Sequence, residues 1–111
     1  MPWLVHDSKV LATLEVADSL GSRMRGLLGR DGIEGALLLA PARSVHTFRM
    51  QFAVDVAYCD GDMVVLRVVT MAPNRLGRPL WRARSVIEAE AGSFARWNLR
   101  PGDRLEIRGT P

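Results

Sequence analysis

Cysteine, lysine and histidine are almost missing from this chain. Its 111 residues hold one Cys, one Lys and two His. A single cysteine, Cys59, excludes an internal disulfide. With only two histidines it also excludes the structural zinc sites built from four cysteines or from two of each residue. No run approaches the roughly 20 apolar residues of a membrane span, so no membrane role is expected. The opening MPWLVHDSKV lacks the basic start and long apolar core of a secretory leader, and a cytoplasmic protein is the default expectation. Repeats of 20–50 residues and low-complexity tracts are absent too, which removes solenoids and disordered arrays. The hydrophobic fraction of 48% is ordinary for a globular chain. A chain of this size buries enough surface to fold as one domain over residues 1–111 without a metal or disulfide.

Charge is present in both signs but unevenly placed. Residues 1–62 carry eight acids against six bases, residues 63–87 carry five Arg and no acid, and residues 88–111 balance four against four. The middle stretch therefore predicts a positive patch. The net charge of +3 is modest, and no helix-turn-helix or aromatic stacking platform stands out, so nucleic acid is not the expected partner.

The periodicity is mostly that of strands. Trp3–Val5 and Val10–Val16 read as strands joined by an Asp7-Ser8 turn, with Val10, Ala12, Leu14 and Val16 sharing a face. Leu20, Met24, Leu27 and Leu28 form a helical stripe that Asp18 or Ser19 can cap and Gly29 can end. Ala36–Ala40 is a short buried run that Pro41 stops. Phe52–Cys59 and Met63–Met71 flank Asp60-Gly61-Asp62, a strong hairpin signal. Residues 72–85 hold two Pro and a Gly and show no period, which predicts a loop of about 14 residues. Val86–Ala91 is another strand, Ser93 can cap a short helical turn, Pro101-Gly102 suits a type II turn, and Asp103–Arg108 closes the chain with Leu105 and Ile107 inward. The expected fold is mainly β: a small antiparallel sandwich or barrel of about six or seven strands, with one short helix packed on it.

Residues 44–73 gather the most chemistry. There His46, Thr47, Arg49 and Asp55 interrupt apolar sequence, where an unpaired buried polar group would be costly. A His oriented by a carboxylate makes a general base, but nine extended residues separate His46 from Asp55 by about 30 Å, so a dyad requires a sharp bend near 49–51. The structural alternative for Asp55 is a buried carboxylate holding backbone N–H groups or an Arg such as Arg23 or Arg30. Glu88 and Glu90, two apart on one strand, read as neighbouring exposed glutamates on an edge strand or as a carboxylate pair. No spacing of the H-x-H or H-E-x-x-H kind marks a metal, and no cofactor motif is found. Cys59, beside two acids, reads as a structural thiol.

Several of these pieces resemble a known family. RMRGLLGR at 23–30, VHTFRMQFAVDVAY at 45–58, MAP at 71–73, IEAEAG at 87–92 and LRPGD at 99–103 follow, in order and spacing, the pattern of the family called domain of unknown function 192. This chain departs from it at Arg49 and Ala53, where many relatives carry Trp and Pro. The resemblance implies a compact, mostly β fold with no established activity, and so no catalytic assignment.

The leading expectation is a domain that binds a small polar or anionic ligand. Its groove would be floored by His46, Thr47, Arg49 and Met50 and covered by the 72–85 loop with Arg75 and Arg78, and Asp55 and Glu90 complete the candidate residues. Two rivals remain. One is a hydrolase-type enzyme using His46 with Asp55 or Glu90. The other is a protein-interaction module using the Arg and Trp81 side chains of the loop.

Overall fold

Seven strands, all joined in one sheet, are found among the described residues of the computed structural model, which are 2–17, 33–47 and 50–109. They are β1 (Trp3–His6), β2 (Lys9–Ala17), β3 (Ala36–Leu39), β4 (Val54–Cys59), β5 (Val65–Met71), β6 (Ser85–Glu90) and β7 (Glu106–Arg108), with one short helix, α1 (Ser93–Trp97). The mainly β architecture expected from the sequence is therefore the one found. The stripe at Leu20–Leu28, its caps, and Phe48 and Arg49 lie outside the described residues.

The sheet runs β5-β4-β6-β3-β2-β1-β7. Every pairing is antiparallel except β2 with β3, which is parallel in the register Leu14↔Ala36 to Ala17↔Leu39. Hairpins explain the antiparallel neighbours. Asp7 and Ser8, both at positive φ, turn β1 into β2. Asp60 turns β4 into β5: its carboxylate accepts the N–H groups of Asp62 and Val64, while its own N–H bonds the Val64 carbonyl. This is the side-chain mimicry that favours Asp in turns.

The sheet curls until its ends meet at one end of β5. Val64 bridges Arg104, Val65 exchanges backbone bonds with Gly102 and Asp103, and the Leu105 N–H reaches the Met63 carbonyl. The 102–105 segment thus joins the start of β5 to the strand β7. Beyond Val65 no backbone bond joins the two edges among the described residues.

Curling gives the sheet an inner and an outer core. The inner one holds Leu4, Leu14, Leu38, Ala57, Ile87 and Phe94, among others. The outer one is built on Leu37, Val54, Val56, Tyr58 and Val86, over which Met50, Phe52, Leu80 and Ala83 pack. Because both faces of the central strands are covered, β3 and β4 are buried at every position, the pattern of a doubly covered strand rather than of a half-exposed one. Each fully buried Leu or Val there contributes about 1.5–3 kcal/mol relative to exposure.

Two local expectations are corrected. Ile107 is 41% exposed while Leu105 is buried, because Leu105 lies where the 102–105 segment meets β5 and Ile107 lies on the edge strand β7. Glu88 is only 2% exposed, since β6 sits between β4 and β3 in the middle of the sheet and is not an edge strand. Glu90, at the end of β6, is exposed.

Candidate functional site

β5 stands at one end of the sheet order. It pairs on one side with β4 throughout, whereas on the other side the backbone contacts seen among the described residues stop at Val65. From Leu66 to Met71 that outer edge faces two hollows, one on each face of the sheet. Side chains alternate across a strand. Arg67 and Val69 pair with Tyr58 and Val56 on the outer face, and Val68 and Thr70 pair with Ala57 and Asp55 on the inner face.

The outer hollow, about 560 Å³, lies between β5 and the 72–78 chain. Among the described residues three guanidinium groups border it, Arg67, Arg75 and Arg78, and no acidic residue does. Arg67 is held in place: its guanidinium carbon lies 4.3 Å above the centre of the Tyr58 ring, and its Nη2 donates to the Arg78 carbonyl. A cation over an aromatic face is favourable by about 0.5–1 kcal/mol when partly exposed. Arg75 and Arg78 are exposed. The Tyr58 hydroxyl is sealed at the back wall without a hydrogen-bond partner among the described residues. Gly77 permits this: a Cβ there would stand 2.6 Å from the Tyr58 oxygen and 2.8 Å from the Val45 carbonyl oxygen.

The inner hollow, about 250 Å³, is bordered by Val68 and Thr70 on one side and by Phe94, Asn98 and Leu99 on the other. At its base is Asp55, 3% exposed. Both of its oxygens are occupied: Oδ1 accepts from Thr70 Oγ1 at 2.7 Å, and Oδ2 accepts from the N–H groups of Gly92 and Phe94 at 3.0 Å each. The carboxylate therefore caps α1 from a neighbouring strand. Ser93 is the first helical residue, not the cap; the cap position belongs to Gly92, at φ 98°, which has no side chain to offer.

The residues singled out in the sequence separate into several places. Thr47 is fully buried. Its Oγ1 donates to the Ala72 carbonyl at 2.6 Å and accepts the Arg75 N–H at 2.8 Å, and its backbone bonds Arg75, Asn74 and Met50. It is a fastener for the 72–77 chain rather than a groove floor. Met50 is buried in the outer core. His46 is exposed and bridged to Leu76, while the partners that fill Asp55 are Thr70, Gly92 and Phe94, so the sequence pair is not a base with its orienting acid. The long loop does cover residues 43–47, but edge to edge: Gly77 bonds Val45, Leu80 bonds Arg43, and Ala42 bonds Arg84. Arg75 and Arg78 border the outer hollow beside β5. Trp81 is 77% exposed.

Sequence reasoning missed Arg67, Thr70 and Tyr58. The available signal was Arg67 itself, the one charge within the β-branched run VVLRVVT. Cys59 is buried, and burial pushes its thiol up to about 12, with the Asp60 charge adding to the effect. Among the described residues no three His, Cys, Asp or Glu gather as a metal site, and no helix is long and apolar enough to cross a membrane.

Residues 4–107 match the model of domain of unknown function 192, described as an uncharacterised ACR. A UPF0127 protein of Pyrococcus horikoshii is 29% identical over 93% of this chain and 96% of its own length. Another, from Pyrococcus abyssi, is 26% identical over 93% and 95%. Two crystal structures share the fold. A protein of unknown function from Novosphingobium aromaticivorans has a TM-score of 0.77 at 20% identity, covering 95% of this chain and 82% of that one. A putative transcription regulator from Sinorhizobium meliloti has a TM-score of 0.78 at 21% identity, covering 96% and 91%.

Proposed function

The chain belongs to the family of domain of unknown function 192, and on that premise we propose that it is a binding domain that takes an anionic group into the outer hollow between β5 and the 72–78 chain. One observation carries this reading: Arg67, Arg75 and Arg78 border a single hollow that has no acid on its rim among the described residues. Three like charges converging without a counter-charge raise the local potential and favour a carboxylate or phosphate, which a guanidinium grips through paired N–H groups. The Tyr58 ring fixes Arg67 beforehand, so less side-chain freedom is lost on binding.

The hydrolase alternative draws no support from His46 and Asp55, because the Asp55 oxygens are already committed to Thr70 and α1. The interaction-module alternative keeps one favourable observation, the exposed ring of Trp81 on the same basic chain segment.

Thermal unfolding in the presence of inorganic pyrophosphate and of citrate tests the binding reading. A ligand at about 100 times its Kd adds about 2.7 kcal/mol of stability, a rise in Tm of roughly 10 °C for a domain of this size. The rise is expected for wild type, to be lost in Arg75→Ala/Arg78→Ala, and to shrink with added salt. Equal behaviour of the two proteins removes the outer hollow from consideration.

A further inference from the structure

We infer that the ligand of this groove is an extended peptide strand that pairs with the edge of β5 left open among the described residues, carrying acidic side chains over the outer hollow and small apolar ones into the inner hollow. The inference rests on the anion-binding reading just given and adds the class of ligand.

The first argument is the backbone. The outer edge of β5 is used at Val65 by Gly102 and Asp103, and along Leu66–Met71 it meets no other chain among the described residues. An edge strand of this kind presents unpaired N–H and C=O groups at strand spacing, a template for an added strand. The open stretch accommodates about five residues of extended chain.

The second argument is the pair of hollows. Val68 and Thr70 border both of them, so the edge itself is the ridge between. A strand laid along that ridge points successive side chains to opposite faces. Alternate residues then meet Arg67, Arg75 and Arg78 on the outer side and Phe94 and Leu99 on the inner side. A small anion uses the first hollow and leaves the second unexplained. A paired strand uses both.

The third argument selects the occupant. Addition of a second copy of β5 would bring Arg67 against the Arg-bordered hollow of its neighbour, and like charges at that distance oppose pairing. The same charge that guards the edge against self-association favours an acidic partner.

The probe is acetyl-Glu-Val-Glu-Val-Glu-amide, compared with its Lys counterpart and with a version N-methylated on the amides that would face β5. Binding is followed by fluorescence anisotropy and by backbone amide shifts. The Glu peptide is expected to bind and to move the amides of residues 66–71. The Lys peptide and the N-methylated peptide are expected to bind roughly tenfold more weakly or worse, the first from charge and the second from lost pairing. In the variant Arg75→Glu/Arg78→Glu, whose two positions are exposed and tolerant of change, preference is expected to swing to the Lys peptide. Undiminished binding of the N-methylated peptide overturns strand addition. Binding of pyrophosphate and citrate without binding of the Glu peptide overturns this inference and leaves the anion reading standing. Failure of all three removes both. A wild-type dimer in sedimentation, dissociating when β5 is blocked, makes the second copy the occupant and overturns the peptide.

Discussion

Asp55 joins parts of the fold that lie far apart in the sequence. It ties three elements with one carboxylate: β4 supplies it, Thr70 of β5 donates to one oxygen, and the first turn of α1 donates to the other. Helix starts leave backbone N–H groups without partners, and here a buried residue from another strand serves them in place of a local cap. Asp55→Ala leaves two N–H groups and a hydroxyl without their acceptor at the base of the inner hollow. Hydrogen bonds to a charged group are worth about 1.5–3 kcal/mol each, so a loss of about 3 kcal/mol or more is expected in urea unfolding. Asp55→Asn is expected to cost less, because its amide oxygen can still accept both N–H groups while the Thr70 hydroxyl turns to accept from the amide nitrogen. An alanine variant as stable as wild type would show the carboxylate to be idle.

The 72–84 segment behaves as an irregular third layer, not as a lid. Thr47 fastens one end, the bonds from Arg43, Val45 and Ala42 hold its length, and Gly77 brings it down onto Tyr58. Gly77→Ala forces a methyl against the Tyr58 oxygen and the Val45 carbonyl, and overpacking of this kind costs about 1–3 kcal/mol. Tyr58→Phe removes a buried hydroxyl with no partner among the described residues, a change expected to be neutral or stabilising. Combined, the two are expected to be less destabilising than their sum, because the second removes the nearest atom that the first strikes. A urea-unfolding double-mutant cycle measures the coupling, and simple additivity would contradict the proximity. At this scale the sequence was readable wherever the information is local. The Asp60 hairpin, the Asp7-Ser8 turn and most strand cores follow from turn chemistry and alternation. Strand order does not. Nothing between residues 36 and 90 says that β6 lies between β3 and β4, so Glu88 read as exposed. Nor does it say that β5 lies at an edge, so Arg67 passed as one more basic residue. The polar groups of residues 46–50 point to a groove there, whereas Thr47 is polar because it fastens the 72–77 chain.

Among the described residues, the curled sheet closes at the turn end of β5 and stays open along the rest of that strand. The most buried strands, β4, β6 and β3, are neighbours in the middle of the sheet, and each is covered on both faces. Local opening takes the route with the fewest buried contacts, so its free energy is low at edges and highest at the centre. Native-state hydrogen exchange is therefore expected to rank the amides. The slowest will be those of β3, β4 and β6, which exchange only through global unfolding. Residues 66–71 on the side of β5 unpaired among the described residues, and residues 106–108 of β7, will exchange through smaller openings. Thr47→Val is expected to speed exchange at Asn74, Arg75 and Gly77 selectively, because it removes the side-chain bonds to Ala72 and Arg75 while leaving the sheet centre unchanged. A uniform increase over all strands would mean that the segment and the sheet unfold as one unit. Binding at the seam adds a second signature that the rest of the molecule does not share. A strand seated on β5 protects residues 66–71, whereas an anion held only by the three arginines leaves those amides exchanging as before. The same measurement thus separates a domain whose edge is an incomplete barrel from one whose edge is merely charged.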